Sequence, residues 1–320
     1  MSWEIIIPFL RPIEPLIRDP EISDILVNGS AGVFIEKRGE MRRVPGVAIP
    51  EKSLQVALRN IARALGDEIN EEKPLLDSRL PDGSRVAAVF PPCAVSGSVL
   101  AIRKFHSEIY TADELVRIGS LAPEALAVLR QAVEARKNIL ISGGTGTGKT
   151  TLLNALAAFI PDAERLVIIE DTSEIQIAKP NLVRLEARRE QPGLPAVTIR
   201  DLLRTTLRLR PDRILLGEVR AGEAFDLLQA LNTGHAGSLS TLHANSAGLA
   251  LARFTTCVLQ SGIEIPYRAV RTNIAEALDF VVHIERRQGR RFVTEIFAIK
   301  GYDAALDRFQ LEPVYARERT

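Results

Sequence analysis

Two rhythms of apolar residues divide this chain. Over roughly the first hundred residues, short alternating runs and one helical stripe dominate. Pro20-Glu21 opens a turn or short helix that leads into Ile22-Ser23-Asp24-Ile25-Leu26-Val27, a strand closed by Asn28-Gly29. Residues 33–36 and 41–44, joined through Gly39, fit a hairpin. Leu54, Leu58, Ile61, Ala62 and Leu65 recur three or four apart, so the spacing predicts a helix over 51–65. Pro81-Asp82-Gly83-Ser84 is turn chemistry, and 85–90 and 99–105 follow as strands with Pro91-Pro92 between them. This is a sheet with a helix packed on it. The apolar segment Ile5-Ile6-Ile7-Pro8-Phe9-Leu10 reads as an edge strand or a core-covering arm, with contact to a membrane surface as the alternative.

The rhythm changes after a polar connection at 106–112. Beyond it, helical segments alternate with continuous apolar runs, as in a parallel sheet covered on both faces. The expected organisation is an N-terminal α+β domain over 1–106, a linker at 107–112 and a larger α/β domain over 113–320. Near the C-terminus, 275–284 and 292–299 fit a hairpin around Arg286-Arg287-Gln288-Gly289-Arg290-Arg291. That basic turn reads as a solvated one, or as one that meets acidic lipid headgroups.

Composition narrows the classes. A formal charge of +1 and 5% aromatic residues provide neither the basic field nor the stacking surface of a nucleic-acid binder. Cys93 and Cys257, far apart and outside any CxxC pair, exclude a disulfide scaffold and a four-cysteine zinc site, and suit a reducing compartment. No apolar run reaches the roughly 18–20 residues that span a bilayer. Met1-Ser2-Trp3-Glu4 lacks the basic start of a signal peptide, so the expected location is the cytosol.

Chemistry enters at Gly143-Gly144-Thr145-Gly146-Thr147-Gly148-Lys149-Thr150, which fits G-x-x-x-x-G-K-[ST] at every fixed position. Glycines let the backbone curl so that successive N–H groups face one anion, and Lys149 and the Thr150 hydroxyl stand where phosphate and Mg²⁺ need them. The apolar run Asn138-Ile139-Leu140-Ile141 enters as a strand. Thr151 to Ile160 continues as a helix stopped by Pro161, whose dipole adds to the cradle.

In such sheets ligands bind at the carboxyl ends of strands. Leu166-Val167-Ile168-Ile169 ends in Glu170-Asp171, with Glu174 close behind, and Ile214-Leu215-Leu216-Gly217 ends in Glu218-Val219-Arg220. A carboxylate there can hold a metal or accept the proton of an attacking water. Thr233-Gly234-His235 and Thr241-Leu242-His243 hold two of the four histidines, divided by a Gly-Ser turn and a short strand after a helix ending near Leu231. His106 and His283 read as packed or solvated side chains.

These motifs, in this order, resemble the four signatures of the type II/type IV secretion ATPases. Arg79-Leu80-Pro81-Asp82-Gly83-Ser84-Arg85-Val86 and Ala101-Ile102-Arg103-Lys104-Phe105 are similar to that family's N-terminal domain, so the resemblance covers nearly the whole chain. It implies an α/β fold with a RecA-type P-loop NTPase core and a smaller N-terminal α+β sensor domain. It also implies a homo-hexamer at the cytoplasmic side of the inner membrane, peripheral to it and docked on secretion or pilus platform components, with ATP and Mg²⁺ as ligands. Carried onto this chain, Gly143, Gly144, Thr145, Gly146, Thr147, Gly148, Lys149, Thr150 and Thr151 bind the nucleotide, and Thr150 with Mg²⁺ its phosphates. Glu218 positions or activates water, Glu170 assists at the metal or the water, and His235 or His243 senses the γ-phosphate. Arg85 and Arg103, with Arg79 a weaker match, close over the phosphates. Arg204, Arg208 and Arg210 stand at a subunit interface or are ordinary helix-surface charge.

The motif spacing and the lack of a cysteine-rich zinc module resemble the conjugative-transfer (Trb-like) and type IV secretion branch, with the tight-adherence pilus branch as the alternative. The short N-terminus favours the conjugative type. A RecA-type nucleic-acid motor would share the phosphate loop and acidic strand ends, but neutral charge opposes it and no sequence-specific nucleic-acid binding is expected.

Overall fold

The alternating runs of the N-terminal hundred residues pair into one antiparallel sheet of order β3-β2-β1-β6-β5-β4. Its strands are β1 (Ile22–Asn28), β2 (Val33–Lys37), β3 (Glu40–Val44), β4 (Leu75–Arg79), β5 (Arg85–Val89) and β6 (Val99–Arg103). The computed structural model describes residues 4, 6–37, 39–105, 110–190 and 194–318, and the chain divides into two compact units, Met1–Glu108 and Ile109–Thr320. In the first unit α1 (Glu14–Arg18) precedes β1, and α2 (Glu51–Ala64) lays Leu54, Leu58, Ile61 and Ala62 on Ile25, Val27, Val86 and Ile102 of the sheet. Ile6, Ile7 and Leu10 are buried in the same core. The N-terminal apolar segment is therefore a core-covering arm. Strand β4 has no counterpart in the sequence reading; Leu-Leu-Asp-Ser-Arg is too short and too mixed to announce itself.

The second unit contains α3 (Ala112–Arg117), α4 (Pro123–Glu134), β7 (Ile139–Gly143), α5 (Lys149–Ala157), β8 (Leu166–Glu170), β9 (Leu182–Glu186) and α6 (Ile199–Thr206). It continues with β10 (Arg213–Val219), α7 (Glu223–Asn232), β11 (Leu239–His243), α8 (Ala247–Leu259), α9 (Tyr267–Ala277), β12 (Phe280–Arg287), β13 (Arg290–Asp303) and β14 (Arg308–Ala316). Its sheet runs β14-β13-β12-β7-β11-β10-β8-β9. From β12 to β9 the pairings are parallel, while β13 and β14 join antiparallel at the other margin. The β12–β13 hairpin forms as predicted, except that 275–277 finish α9. Of the polar connection, 106–109 lie outside the described residues, while Thr111 caps α3 through a reciprocal bond with Glu114 and so belongs to the second unit.

Continuous apolar strands follow from burial on both faces. Ile139, Ile141, Ile168 and Leu215 face α3, α4 and α5, whereas Leu140, Val167, Ile214 and Leu216 face α6 to α9. At the amino edge of this sheet Arg213 is fully buried. Its guanidinium donates to both carboxylate oxygens of Glu164, at 2.7 and 2.8 Å, and to the Val133 carbonyl at 2.7 Å. The Gly-Ser turn is fitted to it, because a Cβ on Gly237 would lie 2.7 Å from Arg213 Nη1. The outermost strands of both sheets carry charge or proline: Glu40, Arg42 and Arg43 on β3, Asp77 and Arg79 on β4, Arg184 and Glu186 on β9, Arg308, Glu312 and Pro313 on β14.

Candidate functional site

Parallel strands deliver their carboxyl ends to one edge, and in this unit Gly143, Glu170 and His243 end β7, β8 and β11 there, with Glu218 one residue before the end of β10. Register fixes the neighbours: His243 pairs with Gly143 across β11 and β7, and Leu216 pairs with Ile169 across β10 and β8. Beyond β7 the loop turns on glycine. Gly146 and Gly148 sit at φ +69° and +95°, in the left-handed region that residues with a Cβ seldom adopt. A Cβ on Gly143 would stand 2.5 Å from the Ile284 carbonyl oxygen and 2.6 Å from Thr147 Oγ1.

The loop is held closed by its own groups. Thr147 Oγ1 donates to the Gly144 carbonyl at 2.9 Å, and Lys149 Nζ donates to the carbonyls of Gly143 and Gly144 at 3.1 and 2.9 Å. Lys149 is buried, which pulls its pKa down, while Glu218 and Glu174 oppose the shift. Helix α5 begins at Lys149, so its first backbone N–H groups open toward the loop.

From Lys149 a polar chain crosses the strand ends. Lys149 Nζ lies 3.4 Å from His243 Nδ1, and His243 Nε2 lies 3.0 Å from Glu218 Oε1. Glu218 Oε2 accepts from Arg220 at 3.1 Å, and Arg220 donates to Asp171 at 2.9 Å. Burial and then the Lys149 charge push the His243 pKa below its ordinary value, against the pull of Glu218. A neutral imidazole with an ammonium at Nδ1 and a carboxylate at Nε2 has one consistent tautomer. Nδ1 accepts from Lys149, and Nε2–H donates to Glu218.

The aim of Glu218 comes from a slip in the sheet. Leu216 pairs with Ser240, but Val219 pairs with Leu242, so β10 has one residue more than β11 between these points. Such a bulge re-aims side chains beside it. Thr241 Oγ1 donates to the Gly217 carbonyl at the slip. Gly217 also makes room for the neighbouring carboxylate, since a Cβ there would meet Glu170 Cγ at 2.9 Å.

Glu170 is buried, with 3% of its surface exposed. Burial pushes its pKa up to about 7, although the Glu174 and Ile175 N–H groups both donate to Oε1 at 2.8 Å and favour the charged form. It can therefore give or take a proton near neutrality. The Thr150 hydroxyl stands 3.5 Å from Glu174 Oε2, at the outer limit of a hydrogen bond. Among the described residues no group of three or more His, Cys, Asp or Glu could hold a metal. A Mg²⁺ on nucleotide phosphates needs no such cage, because it keeps waters and takes one or two protein oxygens; Thr150 with Glu174 beside it offers oxygens of that kind.

Beside the loop opens a cavity of about 270 Å³, lined by Thr147, Gly148 and Thr151 and by Tyr110, Leu121, Leu152 and Phe292. Its walls are mostly apolar, with Arg290 and Arg291 also among them.

Residues 10–300 match the model of the Type II/IV secretion system protein family. The chain belongs to this family. It is 39% identical over 288 residues to the conjugal transfer protein TrbB of Rhizobium radiobacter, covering 89% of this chain and 85% of that one. It is 37% identical over 323 residues to the type IV secretion system protein PtlH of Bordetella pertussis, covering 92% and 95%. Among solved structures it is similar to the VirB11 ATPase of the Brucella suis type IV secretion system in complex with sulphate, at 32% identity, a TM-score of 0.50 and coverage of 92% and 94%. The branch is the conjugative-transfer, Trb-like one, and the fold is the RecA-type P-loop α/β core with a smaller α+β unit before it.

Of the family motifs, the phosphate loop, both acidic strand ends and His243 converge. His235 does not: it precedes β11, at the opposite edge from the loop, and its Nδ1 lies 3.1 Å from the Ala230 carbonyl. The strand between the two histidines spans roughly 13 Å at ~3.3 Å per residue. In the first unit, Arg79, Arg85 and Arg103 stand directly opposite one another across β4, β5 and β6, with Asp24 next in the row. Arg103 pairs with Asp24 at 2.9 Å and Arg85 with Asp77 at 3.4 Å. Arg204 joins Arg200 on the nearly buried Asp226, whereas Arg208 and Arg210 lie past the end of α6, not on it. His283 is packed, with Ser142 Oγ 2.9 Å from its Nδ1. The C-terminal hairpin was expected from the sequence, but its place beside the phosphate loop was not: Arg291 Nε donates to the Gly146 carbonyl at 2.9 Å, so the basic turn leans on that loop.

Proposed function

We propose that this chain hydrolyses ATP to drive a conjugative or type IV secretion apparatus. It works as a ring of six copies at the cytoplasmic face of the inner membrane, against the platform of that apparatus. The observation that carries this reading is the continuous polar chain Lys149–His243–Glu218, which joins the phosphate loop to the second acidic strand end through the histidine motif. The relatives' printed names, a conjugal transfer protein and a secretion-system ATPase, support it. Among the described residues no helix is long and apolar enough to cross a membrane, in keeping with a peripheral position.

The triphosphate seats in the loop, its charge met by Lys149 and by the N–H groups at the start of α5. The base enters the apolar cavity beside Thr151. Thr150 with Glu174 or Glu170 would hold a Mg²⁺, which would supply charge neutralisation at the phosphates. Lys149 leaves the Gly143 and Gly144 carbonyls for the phosphates and in doing so withdraws its proton from His243 Nδ1. His243 thereby couples an event at the phosphates to the orientation of Glu218, the group that positions or activates the water. Glu170, with a pKa near 7, takes or returns the proton. The row of opposed arginines in the first unit, Arg79, Arg85 and Arg103, offers guanidinium groups to an anion beyond the carboxylates of Asp77 and Asp24 that Arg85 and Arg103 already meet. Arg85 and Arg103 would stabilise the transferring phosphoryl group by closing on it.

The test separates binding from turnover. Lys149→Ala is expected to lose ATP binding in calorimetry. Glu218→Gln should bind ATP normally while steady-state hydrolysis falls by roughly 10²-fold. Equal turnover in wild type and Glu218→Gln defeats the assignment.

A further inference from the structure

The turn between β12 and β13 brings four arginines together, and the sheet register decides where they go. Strand β12 runs parallel to β7, with Ile284 paired to Gly143. Arg286 therefore lies two residues, roughly 7 Å of strand, beyond the point where the phosphate loop begins. From there it reaches the loop's apex: its Nη1 lies 3.8 Å from where a Cβ on Gly146 would point. Arg291, on the returning strand, donates from Nε to the Gly146 carbonyl at 2.9 Å, and its Cδ packs 3.3 Å from the Cβ direction of Gly148. Arg287 is taken up by Glu285 at 2.7 Å. Two cations of one hairpin thus stand against the two left-handed glycines of the loop, and the hairpin also supplies one wall of the adjoining cavity.

A carbonyl turned outward to Arg291 is a carbonyl turned away from the anion, so this bond favours the loop conformation in which the N–H groups face inward. A guanidinium at the apex adds charge-assisted donors where a loop of this kind has only its backbone and Lys149. We propose that the β12–β13 turn is a second phosphate-binding element of the same chain. Arg286 contacts the polyphosphate of a nucleoside di- or triphosphate seated in the loop, and Arg291 is a positioning residue that holds the loop in its anion-binding form. This rests on the nucleotide site proposed above and adds to it a phosphate contact supplied in cis by the C-terminal hairpin.

The experiment measures binding of Mg-ATP, Mg-ADP and adenosine to the full chain by competition calorimetry. The variants are Arg286→Gln, Arg286→Lys, Arg291→Gln, Arg291→Lys and Lys149→Ala. Loss of one charge-assisted bond predicts a roughly 10- to 100-fold weaker affinity of Arg286→Gln for ATP and ADP, with adenosine unchanged. Arg286→Lys should recover part of the loss. Arg291→Lys, still able to donate to the Gly146 carbonyl, should bind ADP several-fold more tightly than Arg291→Gln. Melting temperatures should stay within a few degrees of wild type, as for exposed or half-exposed positions. The arginine assignment is overturned if Arg286→Gln binds ADP like wild type while Lys149→Ala has lost it. An equal loss for adenosine and ADP also overturns it, by assigning the hairpin to the cavity wall alone. Undiminished ATP binding by Lys149→Ala would instead remove the nucleotide site itself.

Discussion

Replacing Glu170 with glutamine tests whether burial governs the site. The carboxyl is 3% exposed, and its pKa is pushed up from an ordinary 4.5 to about 7 by burial, against two backbone N–H donors. At 1.36 kcal/mol per pKa unit, the gap between 4.5 and about 7 corresponds to about 3 kcal/mol. A raised carboxyl pKa means that the folded chain keeps a proton the unfolded chain has released. The folded state therefore loses nothing below pH 4.5, loses stability progressively between 4.5 and 7, and bears the full cost above 7. Glutamine keeps an oxygen for the Glu174 and Ile175 N–H groups and never ionises. Glu170→Gln should match wild type near pH 4.5 and exceed it by up to about 3 kcal/mol above pH 8, or roughly 6–12 °C in melting temperature for a unit of this size. Urea and thermal unfolding followed by far-ultraviolet circular dichroism, on both proteins from pH 4.5 to 9, give the difference directly. A difference that stays constant across this range would refute the burial argument.

Two further outcomes follow from the packing. Arg213→Met should destabilise the chain by about 3–5 kcal/mol in urea unfolding, because it strips the bidentate partner from Glu164 at the amino edge of the sheet. Gly217→Ala places a Cβ 2.9 Å from Glu170 Cγ; it should leave ATP affinity near wild type while lowering turnover by roughly 10- to 100-fold, as expected for a misplaced catalytic group.

The site was legible in the sequence where its chemistry is local. The phosphate loop is eight consecutive residues, and the strand before it and helix after it carry their own apolar signals. Glu170 and Glu218 followed from a general rule about the carboxyl ends of parallel strands, and both lie at that edge. The two histidines are separable by the same rule: Leu239-Ser240-Thr241-Leu242 is a strand, and a strand carries its flanking residues to opposite edges, so His235 and His243 cannot share a site within one unit. What was illegible is non-local. Nothing in the residues of β12 says that it pairs with β7, so neither the Ile284 carbonyl against Gly143 nor the arginines at the loop apex could be foreseen. The short outer strands β4 and β9 are similarly silent, since Leu75–Arg79 and Leu182–Glu186 mix apolar and charged residues without a clear period.

The charged and proline-bearing margins of the two sheets bear on how copies of this chain can meet. A strand edge studded with Glu40, Arg42 and Arg43, or interrupted by Pro313, repels or fails to hydrogen-bond an incoming strand. Contacts between copies of this chain would therefore fall on helical faces and connecting segments, with the backbone hydrogen bonding of each sheet kept within its own unit.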